Sequence, residues 1–206
     1  QDGHVVAYEA LMRPQLPTLR SPLTVMQLAS EMGRLYDIEK LTFFRACECY
    51  EELEAAGKLD ADALIFVNSI ASVSLSDEDW ASYCEAHSAI LPKLVVEITE
   101  EEEMNERELE RKRNVPGSTG VFALDDYGGY SNGNSLLTIA PKYVKVDIAI
   151  IRGIDTDADK QQFLMTLIDY AHPRGVQVLA EGVETLSELR KVLEMGVDLL
   201  QGYCLA

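Results

Sequence analysis

The stretch VQVLAEGVETLSELRKVLEMGVDLL, residues 176–200, reads as strand, helix, strand. Val176 to Ala180 is a short apolar run. Thr185 and Glu188 have the spacing of a capping box, which opens a helix by satisfying its first backbone N–H groups. The helix stops near Gly196, and Asp198 to Leu200 begins a last short strand. Outward from this unit the same alternation runs back to the start of the chain. His4 to Leu11, Ala63 to Val67, Leu94 to Ile98, Val121 to Leu124 and Tyr143 to Val146 read as strands. Ser21-Pro22 supplies an N-cap and a proline at the first helical position, with Gly33 as the stop. Further helices are expected from about Asp37 to Gly57, from Asp77 through Trp80, and from about Asp159 to Ala171, and Asn105 with Glu108 predicts another N-cap with its reciprocal acid. Strands alternating with helices argue for βα units and a parallel sheet or barrel. Seven strands are one short of a closed (β/α)8 barrel, and 206 residues fall below the roughly 250 typical of that fold. The expectation is an α/β, TIM-like barrel over residues 1–206 as a single domain, with terminal elements missing from the chain.

Composition narrows the function classes. Forty-seven per cent of the residues are hydrophobic, enough for a sizeable core. Eighteen Lys and Arg stand against 35 Asp and Glu, a formal charge of −17. The resulting field repels polymeric nucleic acid and anionic membrane surfaces, so an anionic substrate needs a local cation. The four cysteines, Cys47, Cys49, Cys84 and Cys204, form no CxxC pair, and a reduced, cytoplasmic chain is the simplest reading. Neither a bilayer-spanning apolar run nor a signal-peptide pattern is found, and no membrane contact is expected from this segment.

The strands repeatedly end in polar groups. Ile65-Phe66-Val67 ends at Asn68, Leu94-Val95-Val96 reaches Glu97, and Val121 to Leu124 ends at Asp125-Asp126. Val144 precedes Lys145 and Asp147, Ala180 precedes Glu181, Leu200 precedes Gln201, and Glu9 interrupts the first strand. One such residue alone could be an N-cap or a solvated acid. Several carboxylates converging on one barrel mouth would repel one another unless cations compensated. Mg²⁺ and Mn²⁺ prefer oxygen ligands, and a shared carboxylate is the usual bridge of a two-metal phosphodiester centre, with Asp125 the candidate here. Zinc is disfavoured because His4, His87 and His172 lack ligand spacing. Gly128-Gly129 is expected to let the chain turn sharply after Asp126.

These residues resemble the EAL-domain family of cyclic di-GMP phosphodiesterases. The motifs are Glu9-Ala10-Leu11, Val67-Asn68-Ser69, Glu97-Ile98-Thr99-Glu100, Asp125-Asp126-Tyr127-Gly128, Lys145-Val146-Asp147, Glu181-Gly182-Val183-Glu184-Thr185 and Gln201-Gly202-Tyr203, in the family's order. The resemblance implies a barrel whose first strand is antiparallel to its neighbour, and two Mg²⁺ or Mn²⁺ ions. Glu9, Asn68, Glu97 and Asp125 would hold one ion, and Asp125, Asp126 and Glu181 the other. Lys145 would position the nucleophilic water, and Glu181 is either general base or ligand. Arg13 would contact phosphate, Leu11 would pack near the guanine base, Gln201 would complete the polar shell, and Glu100 would steady the loop after the aspartates. The implied activity is hydrolysis of cyclic di-GMP to 5′-pGpG, with a homodimer possible. Two other readings stay open, a receptor that binds the dinucleotide without cutting it and an unrelated barrel enzyme with a Schiff-base Lys145. The chain departs from the family at Pro14, an aromatic position, and at Tyr127-Gly128-Gly129-Tyr130, one residue shorter than usual.

Overall fold

A computed structural model describes residues 3–16, 19–60, 62–99, 105–129 and 135–205. They divide into two units, Gln1–Ile98 with Glu102–Val121, and Thr99–Glu101 with Phe122–Ala206.

In the first unit, β1 (Ala7–Ala10), β2 (Leu64–Asn68) and β3 (Leu94–Thr99) are joined through α1 (Pro22–Glu31), α2 (Leu35–Ala55) and α3 (Asp77–Ala86), and α4 (Glu106–Arg113) follows. β1 pairs with β2 in parallel, and β2 with β3, placing Asn68 opposite Glu97. Strands β2 and β3 are nearly continuous apolar runs, as strands covered on both faces must be. Ile65, Phe66 and Val67 are buried, as are Leu94, Val95, Val96 and Ile98. β1 thus runs parallel to its neighbour, and the antiparallel first strand that the resemblance implies is not among the described strands. The chain returns from β1 to β2 through two helices, and such a crossover brings the next strand back in the same direction.

Helices α2 and α3 meet through an aromatic cluster. Phe43 packs edge-on against Trp80 and Tyr83, with centroids 5.3 and 5.7 Å away. The polar atoms of the cluster are satisfied internally, since Trp80 Nε1 donates to Ser74 Oγ at 3.1 Å and Cys47 Sγ lies 2.9 Å from the Tyr83 hydroxyl. Burial pushes the Cys47 thiol up to about 11, so it is an inert packing group.

The second unit carries β4 (Val121–Tyr127), β5 (Tyr143–Val146), β6 (Gln177–Ala180) and β7 (Leu199–Leu200). Each pairs in parallel with the next. Its helices are α5 (Ser135–Ile139), α6 (Ile148–Ile151), α7 (Ala158–Ala171) and α8 (Leu186–Met195). The capping box at the start of α8 is present in both directions, and Gly196 at φ 90° ends the helix. Asn105 stands at the N-cap of α4 as expected, but its side chain makes no capping hydrogen bond. No helix among the described residues is long and apolar enough to cross a membrane.

Candidate functional site

The parallel register of the first unit delivers three oxygen-bearing side chains to one place. Asn68 ends β2 level with Glu97 on β3, and Glu9 sits on the adjoining β1. The Asn68 carboxamide donates to Glu9 Oε1 at 3.4 Å and to Glu97 Oε2 at 3.2 Å. Glu97 is 1% exposed. Beyond β1 the chain opens outward, so Leu11 and Arg13 are exposed. With Glu9 and Pro14 they line a cavity of about 790 Å³ that also takes in Leu41 and Arg45 of α2.

In the second unit the two aspartates raise a geometric question, because successive residues of a strand point to opposite faces. A register shift against β5 between Leu124 and Tyr127 resolves it. A bulge breaks the alternation, and Asp126 adopts φ 55°, a left-handed conformation that aspartate tolerates. One carboxylate oxygen from each of Asp125, Asp126 and Glu181 then lies within 4.8 Å of the others. Gly128, at φ 96°, makes the turn beyond, where a Cβ would press on Phe163 at 3.0 Å.

The buried ammonium of Lys145, on β5, lies 2.8 Å from Asp125 Oδ1 and 2.9 Å from Glu181 Oε1. One ammonium against three carboxylates, among the described residues, leaves the cluster short of positive charge. Asp126 is exposed as a residue, but its carboxyl is partly withdrawn from water; that desolvation, then the charges of Asp125 and Asp147, push it up to about 6, against a smaller downward pull from Lys145. A group of carboxylates in this condition fits a hard divalent cation.

Gln201 follows β7, its backbone N–H donating to Ala180 O at 2.9 Å and its carbonyl accepting from Val183 at 3.0 Å. Glu100 lies outside the described residues. Asp147 was legible as a strand-end acid, but its influence on Asp126 was not, because it depends on the bulge. Asp147 also caps α6, with Oδ1 accepting from Ala149 N at 2.6 Å. His87 packs against Tyr83, and His172 pairs with Asp198.

The family model described as EAL domain matches residues 1–206. The probable cyclic di-GMP phosphodiesterase PdeG of Escherichia coli (strain K12) is 26% identical over 211 residues, which cover 98% of this chain and 41% of PdeG. The chain therefore spans about two fifths of that relative's length. Among solved structures, the PaMucR phosphodiesterase in complex with c-di-GMP superposes with a TM-score of 0.80 at 24% identity, covering 98% of this chain and 84% of that one. A manganese and cyclic di-GMP complex of Klebsiella pneumoniae BlrP1 gives a TM-score of 0.77 at 24% identity, covering 97% of this chain and 51% of that one. These likenesses show the fold, the α/β architecture of TIM-like EAL structures.

Proposed function

The chain belongs to the EAL-domain family, and from that premise we propose that it is a metal-dependent phosphodiesterase hydrolysing cyclic di-GMP to 5′-pGpG. The observation that carries this reading is the convergence of Asp125, Asp126 and Glu181, with ligand atoms within 4.8 Å of one another. Two Mg²⁺ or Mn²⁺ ions are the proposed cofactors. Glu9, Asn68 and Glu97 offer oxygen ligands from the first unit, and Asp125, Asp126 and Glu181 from the second. Bound cations would supply Lewis acidity, activating water and stabilising charge on the leaving 3′ oxygen.

The side chains divide the remaining work. Lys145, between Asp125 and Glu181, donates hydrogen bonds that orient the attacking water. The water oxygen bonds to phosphorus while the bond from phosphorus to the 3′ oxygen breaks. Glu181 accepts the water's proton, or serves as a ligand while solvent accepts it, and the leaving 3′ oxygen takes up a proton from solvent to depart as a hydroxyl. Arg13 contacts a phosphate, providing the local cation that a chain of charge −17 needs for an anionic substrate. Leu11 packs near a guanine base, and Gln201 completes the polar shell. Residues 1–206 are read as one EAL-like barrel domain. A reducing, cytoplasmic setting accompanies this reading, since Cys47, Cys49, Cys84 and Cys204 form no CxxC pair.

The test is incubation with cyclic di-GMP and Mg²⁺ or Mn²⁺, followed by chromatography for 5′-pGpG. Chelation should abolish the product, and Glu181→Gln should remove most turnover while leaving the fold intact. Binding of cyclic di-GMP without turnover under saturating Mn²⁺ would identify a receptor instead.

A further inference from the structure

Glu39 of α2 and Lys112 of α4 form an ion pair at 2.9 Å, with side-chain exposures of 1% and 0%. Neither has a part in the chemistry above. Two charges withdrawn from water are costly, and an apolar pair of similar volume often serves stability as well or better. What this pair holds is therefore informative. Glu39 Oε1 accepts from Ser69 Oγ at 2.6 Å, and Oε2 accepts from the backbone N–H of Ile70 at 2.9 Å. Lys112 Nζ donates to Ser69 Oγ at 2.7 Å and to the Ile70 carbonyl. The Ser69 hydroxyl thus donates to one charge and accepts from the other. All four bonds fall on the two residues immediately after Asn68, where β2 ends and the ladder ceases to fix the backbone. The Ser69 backbone N–H also donates to Glu97 O at 2.9 Å, and the Ile70 carbonyl accepts from Val73 N at 3.0 Å.

We propose that Glu39 and Lys112 are positioning residues, clamping the turn after β2 so that the Asn68 carboxamide stays directed at Glu9 and Glu97. A carboxamide at a strand end has its own rotamer freedom and inherits that of the loop behind it. A functional constellation has to be held within about 0.5 Å, which an unsupported loop does not provide. The pair reaches Asn68 from two helices, one before β2 and one after β3, so the turn is held from both sides of its strand in sequence. What Asn68 does for a metal rests on the phosphodiesterase reading, whereas where Asn68 points does not.

Two double variants separate positioning from simple stability. In Glu39→Leu with Lys112→Met both charges are gone, so no lone ion is left buried, and the clamp is gone too. In Glu39→Gln with Lys112→Met the charges are also gone, but the glutamine carbonyl can accept from Ile70 N and its amide can donate to Ser69 Oγ. Mn²⁺ binding by calorimetry and the Asn68 side-chain amide resonances, recorded without metal or substrate, are the readouts. The apolar pair should weaken Mn²⁺ binding roughly 10- to 100-fold, the usual loss when a ligand's support is removed, and should move the Asn68 resonances. The glutamine pair should restore both. Ser69→Ala, a change small enough to be accommodated, should move the same resonances if the apolar pair fails to fold. Unmoved Asn68 resonances in the folded apolar pair or in Ser69→Ala, or equal losses in both double variants, would overturn the proposal. Absence of 5′-pGpG from the wild-type protein, with Asn68 resonances that still follow the variants, would overturn the phosphodiesterase reading and leave the positioning role standing.

Discussion

Replacing Lys145 by methionine removes an ammonium paired with both Asp125 and Glu181. With ligand atoms of Asp125, Asp126 and Glu181 within 4.8 Å, and an effective dielectric constant of about 20, each pair of charges repels by at least about 3.5 kcal/mol. Three carboxylates therefore carry on the order of 10 kcal/mol of gross repulsion, less the share that solvent screens at the exposed Asp126. Lys145, at 2.8 Å from one partner and 2.9 Å from another, returns about 6 kcal/mol from each, on the order of 12 in all. The two sums nearly offset, so the cluster is tolerated with the lysine and is not without it. Lys145→Met should not express the whole gross figure, because Asp126, whose carboxyl is already raised to about 6, will take up a proton first. The expected net cost is about 3–5 kcal/mol at pH 7.5. The sign of the pH dependence follows, since acidification neutralises repelling carboxylates and the penalty should shrink towards pH 5. Mn²⁺ should recover stability in the variant at pH 7.5. Urea unfolding at both pH values, with and without Mn²⁺, measures all of this. A loss under about 1 kcal/mol that is flat with pH would refute the reasoning, because the three carboxylates would then have to be well solvated or apart.

Three further outcomes are expected. Because the Asp126 carboxyl is raised to about 6 from an ordinary 3.8, its protonated form is favoured in the folded chain. Metal-free stability should fall as pH rises from the ordinary value through about 6, and calorimetric Mn²⁺ affinity should weaken as pH falls through the same window. Gly182 sits at φ 62°, and a Cβ there would overlap the Ile148 side chain. Gly182→Ala should cost about 1–2 kcal/mol for the backbone and about 1–3 kcal/mol for overpacking, with Ile148→Ala in the same chain returning the second part in denaturant unfolding. Burial opposes ionisation of Glu188, but backbone N–H groups of Gly153, Glu184 and Thr185 outweigh it and lower its pKa. That stabilisation is present at neutral pH and lost on acidification, so Glu188→Ala should cost roughly 1–3 kcal/mol at pH 7 and less near pH 3, read by thermal unfolding.

What could be read from the residues in advance was whatever depends on neighbours in the chain. The seven strands announce themselves by β-branched runs, and the capping box of Thr185 and Glu188 by its spacing. The polar strand ends Asn68, Glu97, Asp125, Lys145 and Glu181 stand out against apolar strands. The parallel pairing of β1 with β2 is not encoded in either strand's own residues, and it is the crossover through α1 and α2 that sets it. Asn105 has the residue type and spacing of a cap, yet its side chain does not cap α4, since spacing permits a hydrogen bond without requiring one. Glu39 and Lys112 look like surface residues of polar helices. Their pairing spans helices far apart in sequence, and nothing local marks it.

The tryptophan beside Phe43 is unique in the chain, and it belongs to the first unit. Its indole is 6% exposed and tethered through Nε1 to Ser74, so its emission should redden when α2 and α3 separate. The molecule thus carries an optical label on the half that bears Glu9, Asn68 and Glu97, and none of that colour on the half that bears Lys145. Far-ultraviolet circular dichroism, which reports on the helices of both units, can be set against it as the global signal. If Lys145→Met moves the tryptophan midpoint by as much as the global one, the two halves melt as a single cooperative unit. If the tryptophan trace stays behind, the half carrying the three clustered carboxylates unfolds first, and the order of melting becomes visible without a label being added.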